Sequence, residues 1–247
     1  MLNLKNNYCL VTGCNGHIGY AITKKLKKLG AKVIGVDIFE NKNSANLFHF
    51  IKMDLTNKKE INKLIILLNK KLKKIDILIN NAAYVGTSEI AKINNKKYFY
   101  NEQYIKLNLN NTIYLTNSLI PLLNKSKSAS IINICSIYSS LAYDYSLYND
   151  TKMKTPLAYG VSKAGLMHYT KMLSTAVAPK IRVNSISPGG IFRNQPKKFV
   201  KKYLIKTPLS RMGHEDDVAN ATIFLSSNLS SYITGHNLVV DGGYSIA

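Results

Sequence analysis

The chain has 247 residues, 46% of them hydrophobic, which suits one large domain or two small ones. It holds no apolar run approaching the ~18 residues of a membrane span, and its start, "MLNLKNNYCLVTG", has neither the h-region nor the cleavage site of a signal peptide. The formal net charge of +21 does not read as a nucleic-acid interface, because only three of the 34 basic residues are arginines (Arg182, Arg193, Arg211), whereas base reading leans on arginine.

The lysines spread over several helices beside 27 asparagines, as coding bias and a solvated surface would give. No nucleic acid and no membrane is expected as a partner; an anionic small-molecule substrate would still gain from steering by such a field. Cys9, Cys14 and Cys135 are too few and too scattered for a disulfide frame or a metal site, and they read as belonging to a reduced cytoplasmic protein.

In chain order, "YCLVTG" is a predicted strand followed by a helix near 17–30. "KVIGVD" is a strand ending at Asp37. "FHFIKMDLT" is another, followed by a helix near 57–72. "IDILINNAA" is a strand, a long helix covers 101–124, and "SASIINICS" is a strand. Residues 159–178 read as a helix and "IRVNSISPGG" as a strand and loop. "EDDVANATIFLSS" opens with acidic residues, as a helix N-terminus should, and "HNLVVDGG" closes as the last strand. Short apolar strands alternating with helices predict an α/β fold, a single doubly wound parallel sheet of Rossmann type with helices on both faces, in one domain spanning 1–247. Ligands of such sheets bind beyond the carboxyl ends of the strands.

The turn from Thr12 to Gly19 follows a strand and opens a helix, the context a dinucleotide site needs. Its glycines Gly13, Gly16 and Gly19 sit three apart, and Asn15, His17 and Ile18 fill the positions between. Backbone N–H groups exposed there would favour a pyrophosphate. Asp37 ends the next strand 18 residues after Gly19, where a carboxylate can bond both ribose hydroxyls and repel a 2′-phosphate. NAD(H) is therefore favoured over NADP(H), with Lys42 the cation in reach of a phosphate. Asp54 either approaches the adenine amino group or caps the helix that begins near Thr56.

Tyr159 and Lys163 are four apart and share a helical face. Ser136 ends the preceding strand. A tyrosine, a lysine and a serine in one cleft suit hydride transfer at a carbonyl: the phenol exchanges the hydroxyl proton, lysine stabilises tyrosinate, and serine bonds the developing alkoxide. Bringing a phenol from its ordinary ~10 to near 7 needs ~4 kcal/mol. One cation at ~4 Å and an effective dielectric of ~20 supplies about that.

The order of "TGCNGHIG", Asp37, "MDL", "NNAA", "KLNLNN", "IINICS", "YGVSK" and "RVNSISPGGI" resembles the short-chain dehydrogenase/reductase family along essentially the whole chain. The resemblance implies a catalytic set of Ser136, Tyr159 and Lys163, with Asn108 keeping a proton-relay water in place. It implies cofactor contacts from Leu55 beside Asp54, from Asn81 and Ala82, and from Pro188, Gly189 and Ile191, besides Tyr159 and Lys163 themselves. It also suggests a homotetramer or homodimer built on the helices around 101–124 and 159–178.

Two departures stand out. The glycine spacing is that of the longer nucleotide-sugar branch, with His17 where the single-domain branch usually has a glycine. The gap from Ser136 to Tyr159 is 23 residues, longer than usual, and reads as a substrate-loop insertion at about 141–157. Its Tyr143, Tyr145 and Tyr148, with Lys152 and Lys154, would suit a sugar bearing an anionic group; Arg193, Lys197 and Lys198 after the nicotinamide loop would hold its phosphate. "AYGVSKAGLMHYTKMLS" and "ISPGGIFRNQPKKF" resemble the reductases of bacterial flagellin-modification and acylneuraminate-type sugar pathways. The leading expectation is thus an NAD-dependent oxidoreductase of a phosphorylated or nucleotide-linked amino sugar. The alternative is a 3-oxoacyl carrier-protein reductase, whose acidic carrier would dock on the basic surface and whose expected NADPH preference Asp37 opposes. A non-catalytic nucleotide- or nucleic-acid-binding protein is the remote alternative.

Overall fold

The computed structural model describes residues 3–84, 89–93, 96–149, 151, 153 and 156–247. The inner apolar runs become strands buried on both faces, as parallel pairing under two helical layers demands, while the edge strands at 49–52 and 237–240 stay partly exposed. In chain order the elements are β1 (Tyr8–Thr12), α1 (His17–Lys28), β2 (Lys32–Asp37), β3 (His49–Lys52), α2 (Lys58–Lys71) and β4 (Ile77–Asn80). A hairpin of β5 (Glu89–Ile93) and β6 (Lys96–Tyr100) follows. Next come α3 (Gln103–Ile105), a π-helical turn (Lys106–Asn111), α4 (Thr112–Leu123), β7 (Ala129–Ile134), α5 (Leu157–Val177) and β8 (Ile181–Pro188). The chain ends with α6 (Lys197–Ile205), α7 (Glu215–Ser226) and β9 (Asn237–Val240).

Seven strands form one parallel sheet in the order β3-β2-β1-β4-β7-β8-β9. The strand order reverses between β1 and β4, so their carboxyl ends open the crevice in which such sheets bind ligands. Alternate strand residues feed two cores. Leu10, Ile34, Leu78 and Ile131 pack with α2, α4 and α5, while Cys9, Val11, Val33, Ile79 and Ile132 pack with α1 and α7. Each fully buried aliphatic side chain contributes roughly 1.5–3 kcal/mol of transfer free energy. Inside the sheet a polar chain crosses the central strands: Asn80 donates to Asn133 and to Thr116, each at 2.8 Å, and Asn133 donates to Thr170 at 2.9 Å.

Two elements differ from the sequence expectation. The hairpin after β4 was not anticipated. The helix expected over 101–124 is interrupted by the π turn, where Thr112 bonds back to the Leu107 carbonyl at 2.8 Å and Asn111 donates to the Leu55 carbonyl at 2.8 Å. Such turns inside helices are frequent at functional sites. Among the described residues no helix is long and apolar enough to cross a membrane. Among the same residues no group of three or more His, Cys, Asp or Glu side chains could hold a metal ion.

A third small core caps the carboxyl side of the sheet. Ile137 and Leu147 from the segment after β7 pack there on Phe199 and Tyr203 of α6, and on Met212 and Tyr244. Two lysines of α6 and its C-terminal end tie that segment down: Lys202 donates to the Ser146 carbonyl at 2.9 Å, and Lys206 pairs with Asp144.

Candidate active site

The glycine turn is shaped by close approach. Gly13 has φ +64°, and a Cβ there would lie 2.8 Å from the Ala82 Cα. A Cβ on Gly19 would stand 2.0 Å from the Gly13 carbonyl oxygen. Gly16 differs: its φ of −68° is open to any residue, and a Cβ would meet only the Gly13 oxygen at 3.4 Å. The fold therefore demands the outer two glycines, while the middle one leaves open space at the mouth of α1. No side chain caps α1 and its first turn has no acidic residue, so the N–H groups of His17, Ile18 and Gly19 face that space as a helix N-terminus does.

Around the turn the chain supplies its own braces. Asn81 donates to the carbonyls of Gly13 at 2.9 Å and Thr12 at 3.1 Å, and the Thr12 hydroxyl accepts from the backbone of Asn81 and Ala82, both at 3.1 Å. The Asn81 side chain thus holds the turn. Asp37 accepts from the Asn15 backbone at 2.9 Å, and the Asn15 side chain donates to the Phe39 carbonyl at 2.6 Å and the Ser44 hydroxyl at 2.9 Å. The Asn15 Oδ1 is buried and has no partner within the protein. An uncapped helix mouth, an unfilled space at Gly16 and an orphaned acceptor beside Asp37 all fit a bound dinucleotide.

Asp54 spends both carboxyl oxygens on Thr56, at 2.8 and 2.9 Å, in an exposed turn, and Asn57 caps α2 by accepting from Lys59 at 3.0 Å. Asp54 is therefore not the cap of α2, which is Asn57, because its oxygens are taken by the Thr56 turn. Leu55 is buried under the π turn. His17 is exposed, with its Nδ1 3.7 Å from Glu215. Glu215 also holds Arg193 at 2.5 Å, so Arg193 reaches α7 across the loop that follows β8. In that loop Pro188 is buried, Gly190 donates to the Tyr203 hydroxyl at 2.6 Å, and Ile191 bridges to Gly213. A Cβ on Gly189 would lie 2.8 Å from Asp241 Cβ.

Ser136, Tyr159 and Lys163 converge just past β7. Ser136 starts a short 3-10 turn, and its hydroxyl accepts from the Tyr138 backbone at 3.2 Å. Burial pushes the Tyr159 phenol's pKa up, and the nearby Ser136 hydroxyl opposes that shift. Lys163 is 3% exposed; its ammonium donates to the Ile134 carbonyl at 2.6 Å and stands 5.9 Å from the centre of the Tyr159 ring. Burial lowers the lysine's pKa. Desolvation of both groups thus opposes the attraction that the ammonium offers a tyrosinate.

Asn108 lies in the π turn, 1% exposed, accepting from the Tyr84 backbone at 2.8 Å and donating to Ser162 at 3.3 Å. It joins the tyrosine helix to the loop after β4. Tyr84 and Tyr104, which the sequence reading missed, stack edge to face at 5.0 Å, and Tyr104 meets Tyr159 at 6.1 Å. The only signal for them was their place after β4 and at the start of the helix expected over 101–124.

The insertion tyrosines mostly serve the fold. Tyr143 donates to the Pro156 carbonyl and accepts from the Gly160 backbone, both at 2.9 Å. Tyr148 shares a hydrogen bond of 3.0 Å with Tyr138 and packs on Phe199. Tyr145 is exposed. Lys197 and Lys198 are exposed on the first turn of α6. Lys152 and Lys154 lie outside the described residues.

Known proteins resemble this chain along nearly its whole length. A family model described as enoyl-(acyl carrier protein) reductase, of the short-chain dehydrogenase group, matches residues 14–245. The 3-oxoacyl-(acyl-carrier-protein) reductase FabG of Buchnera aphidicola subsp. Acyrthosiphon pisum is 38% identical, the match covering 98% of each chain. The post-translational flagellin modification protein A of Campylobacter coli is 31% identical over 98% of this chain and 100% of its own. A crystal structure of a short-chain dehydrogenase from Leptospira borgpetersenii with bound NAD+ superposes with a TM-score of 0.86 at 36% identity, covering 99% of this chain and 94% of that one. The chain belongs to the short-chain dehydrogenase/reductase family of NAD(P)-dependent oxidoreductases.

Proposed function

We propose that the protein interconverts a ketone and a secondary alcohol with NAD(H), using Tyr159 as the acid and base. The observation that carries this is the convergence of Ser136 and the buried Lys163 on Tyr159, whose ring centre lies 5.9 Å from the Lys163 ammonium. Gly13, Asn15, Gly16, His17, Ile18 and Gly19 would hold the pyrophosphate, Asp37 the ribose hydroxyls, and Pro188, Gly189 and Ile191 the nicotinamide side, with Asn81 and Ala82 bracing the turn. The bound nicotinamide would supply or accept the hydride and, when oxidised, add a positive charge.

During reduction the Tyr159 hydroxyl gives its proton to the carbonyl oxygen while the Ser136 hydroxyl donates a hydrogen bond to it. Proton donation leaves a tyrosinate, which burial disfavours, and the Lys163 ammonium offsets that cost. Asn108 would keep the path by which Tyr159 regains its proton. General acid–base steps of this kind contribute typically 10²–10⁴-fold.

For the substrate, the relatives weigh toward the 3-oxoacyl thioester reading rather than the sugar reading. The Buchnera relative carries that name, the family model is described by reduction of a different acyl group on the same carrier, and a chain of charge +21 suits an acidic carrier. The amino-sugar reading keeps support from the flagellin-modification relative, and Asp37 favours NADH in either case. The test is initial rates with NADH and NADPH on acetoacetyl carrier protein and on a panel of phosphorylated and nucleotide-linked amino sugars. Turnover of the thioester selects the first reading. Turnover of a sugar alone selects the second. Wild-type turnover by Tyr159→Phe would refute the site itself.

A further inference from the structure

We propose that Tyr143 is a positioning residue for Tyr159: its phenol is inserted into the first turn of α5 and fixes the turn that carries the acid/base. This rests on the reading of Tyr159 given above. In α1, α2 and α6 the first helical bond closes directly onto the N-cap carbonyl, at 2.7, 3.1 and 3.1 Å. In α5 the Pro156 carbonyl accepts from the Tyr159 backbone at 3.1 Å, as the His214 carbonyl of α7 does from Asp217, and the Tyr143 hydroxyl stands between Pro156 and Gly160, accepting from Gly160 and donating to Pro156, both at 2.9 Å. Tyr159 lies inside that bridged turn. Inserting a hydroxyl into a helical ladder displaces the local backbone, so the direction of the Tyr159 side chain depends on it.

The other end of Tyr143 reaches Ser136. Its ring packs against Tyr138 with centroids 4.4 Å apart, and the Tyr138 backbone N–H donates to the Ser136 hydroxyl. Tyr143 thus clamps together the two segments whose side chains must meet. Residue 160 is tailored to it: a Cβ there would lie 3.0 Å from the phenol oxygen and 3.4 Å from the Tyr138 carbonyl. This assigns the tyrosine of the long loop to the geometry of the proton donor, where the sequence suggested a wall for the substrate. The groups facing Tyr159 are Cys135, Ser136, Tyr104, Tyr143, Tyr148 and Lys163.

Tyr143→Phe keeps the ring on Tyr138 and removes the bridge. The experiment follows the Tyr159 phenol by NMR with isotope-labelled tyrosine in the cofactor-free protein, alongside NADH binding, thermal stability and NADH-dependent reduction of acetoacetyl-CoA. The Tyr159 titration should move to higher pH, because the phenol shifts away from the Ser136 hydroxyl that opposes the effect of burial. Turnover should fall about 10- to 100-fold while NADH affinity stays within about twofold, the pattern of a displaced reacting group. Gly160→Ala, which crowds the phenol oxygen, should give the same shift and add little on top of Tyr143→Phe. An unmoved Tyr159 titration in Tyr143→Phe would overturn the proposal. So would joint loss of thermal stability and NADH binding in both variants, which would assign Tyr143 to the fold alone. A failure of the Tyr159 reading shows separately, as turnover surviving in Tyr159→Phe.

Discussion

The Asp37 carboxylate accepts the backbone N–H of Asn15 at 2.9 Å, so the acidic residue at the end of β2 also holds the glycine turn in shape. Two functions must therefore be separated when it is changed. Asp37→Asn keeps an acceptor for Asn15 and removes the charge. A carboxylate ~4 Å from one phosphate charge costs ~4 kcal/mol at an effective dielectric of ~20. Exposure and salt reduce this to about 1–2 kcal/mol. The ratio of kcat/KM for NADPH over NADH should rise about 5- to 30-fold in Asp37→Asn at low salt. An unchanged ratio would show that Asp37 does not read the ribose.

Lys163 is the second test, because its charge is needed for the chemistry but costly for the fold. Lys163→Met keeps the volume and removes a buried cation, so thermal stability at neutral pH should hold or rise. Turnover should fall about 10²- to 10⁴-fold. The sign of the pH dependence follows from burial, which holds the folded lysine below its ordinary 10.5. Between that lowered value and 10.5 the unfolded chain binds the extra proton, so stability rises with pH there. The buried cysteines and tyrosines, raised from their ordinary 9.0 and 10.0, pull stability down as pH climbs, so the lysine's contribution is the difference in pH dependence between wild type and Lys163→Met, in which wild type gains relative to the variant. Chemical denaturation across that window measures it.

Gly19→Ala probes the turn. The new methyl would stand 2.0 Å from the Gly13 oxygen and 2.8 Å from the Asn81 amide, and backbone cannot yield as a side chain does. Overpacking of this kind costs about 1–3 kcal/mol, and NADH binding should be lost with it. Gly16→Ala meets only the 3.4 Å contact and should leave stability unchanged while weakening NADH binding. Equal stability losses in the two variants would contradict the distinct roles given to the two glycines.

These cases also show what the sequence could convey. Period and composition located all seven strands of the sheet, because a parallel strand buried on both faces must be continuously apolar, as "VIGV" and "IINI" are. That Ser136, Tyr159 and Lys163 come together was legible for a related reason: each sits at a fixed step from a strand end or along a helix. The partners that a side chain finds across space were not legible. Nothing local in "LAYDYSLYND" says that Tyr143 enters the α5 backbone or that Asp144 reaches Lys206. The π turn was hidden too, since its cause is the bonding of Asn108, Asn111 and Thr112 to distant loops and to the carbonyl five residues back.

The clasp between Asp144 and Lys206 gives the last prediction. It joins the segment after β7 to the end of α6, and its lysine holds the Asp144 carboxyl down at about 2, below the ordinary 3.8, helped by the Ser146 hydroxyl and backbone. A carboxylate with a lowered folded pKa contributes stability that is complete above 3.8 and is lost as pH falls toward 2. Lys206 is raised by the same contact, so its share is complete below 10.5 and is lost as pH climbs through the raised value. The clasp is therefore whole between these limits and opens at both extremes. Lys202, donating to Ser146 and Asn149, is a second tether that does not depend on the carboxylate. Asp144→Asn alone should speed hydrogen exchange at the Ser146 and Leu147 amides at neutral pH to the rate that the wild type shows near pH 2, after correction for intrinsic exchange. High salt should move the wild type in the same direction, because the pair is at the surface. Adding Lys202→Ala should release the segment further and raise KM for the substrate more than it lowers kcat, since the Ser136 and Tyr159 segments keep their own brace through Tyr143. Exchange at Ser146 that is indifferent to Asp144→Asn would mean that the small core around Leu147 and Phe199 holds the segment unaided.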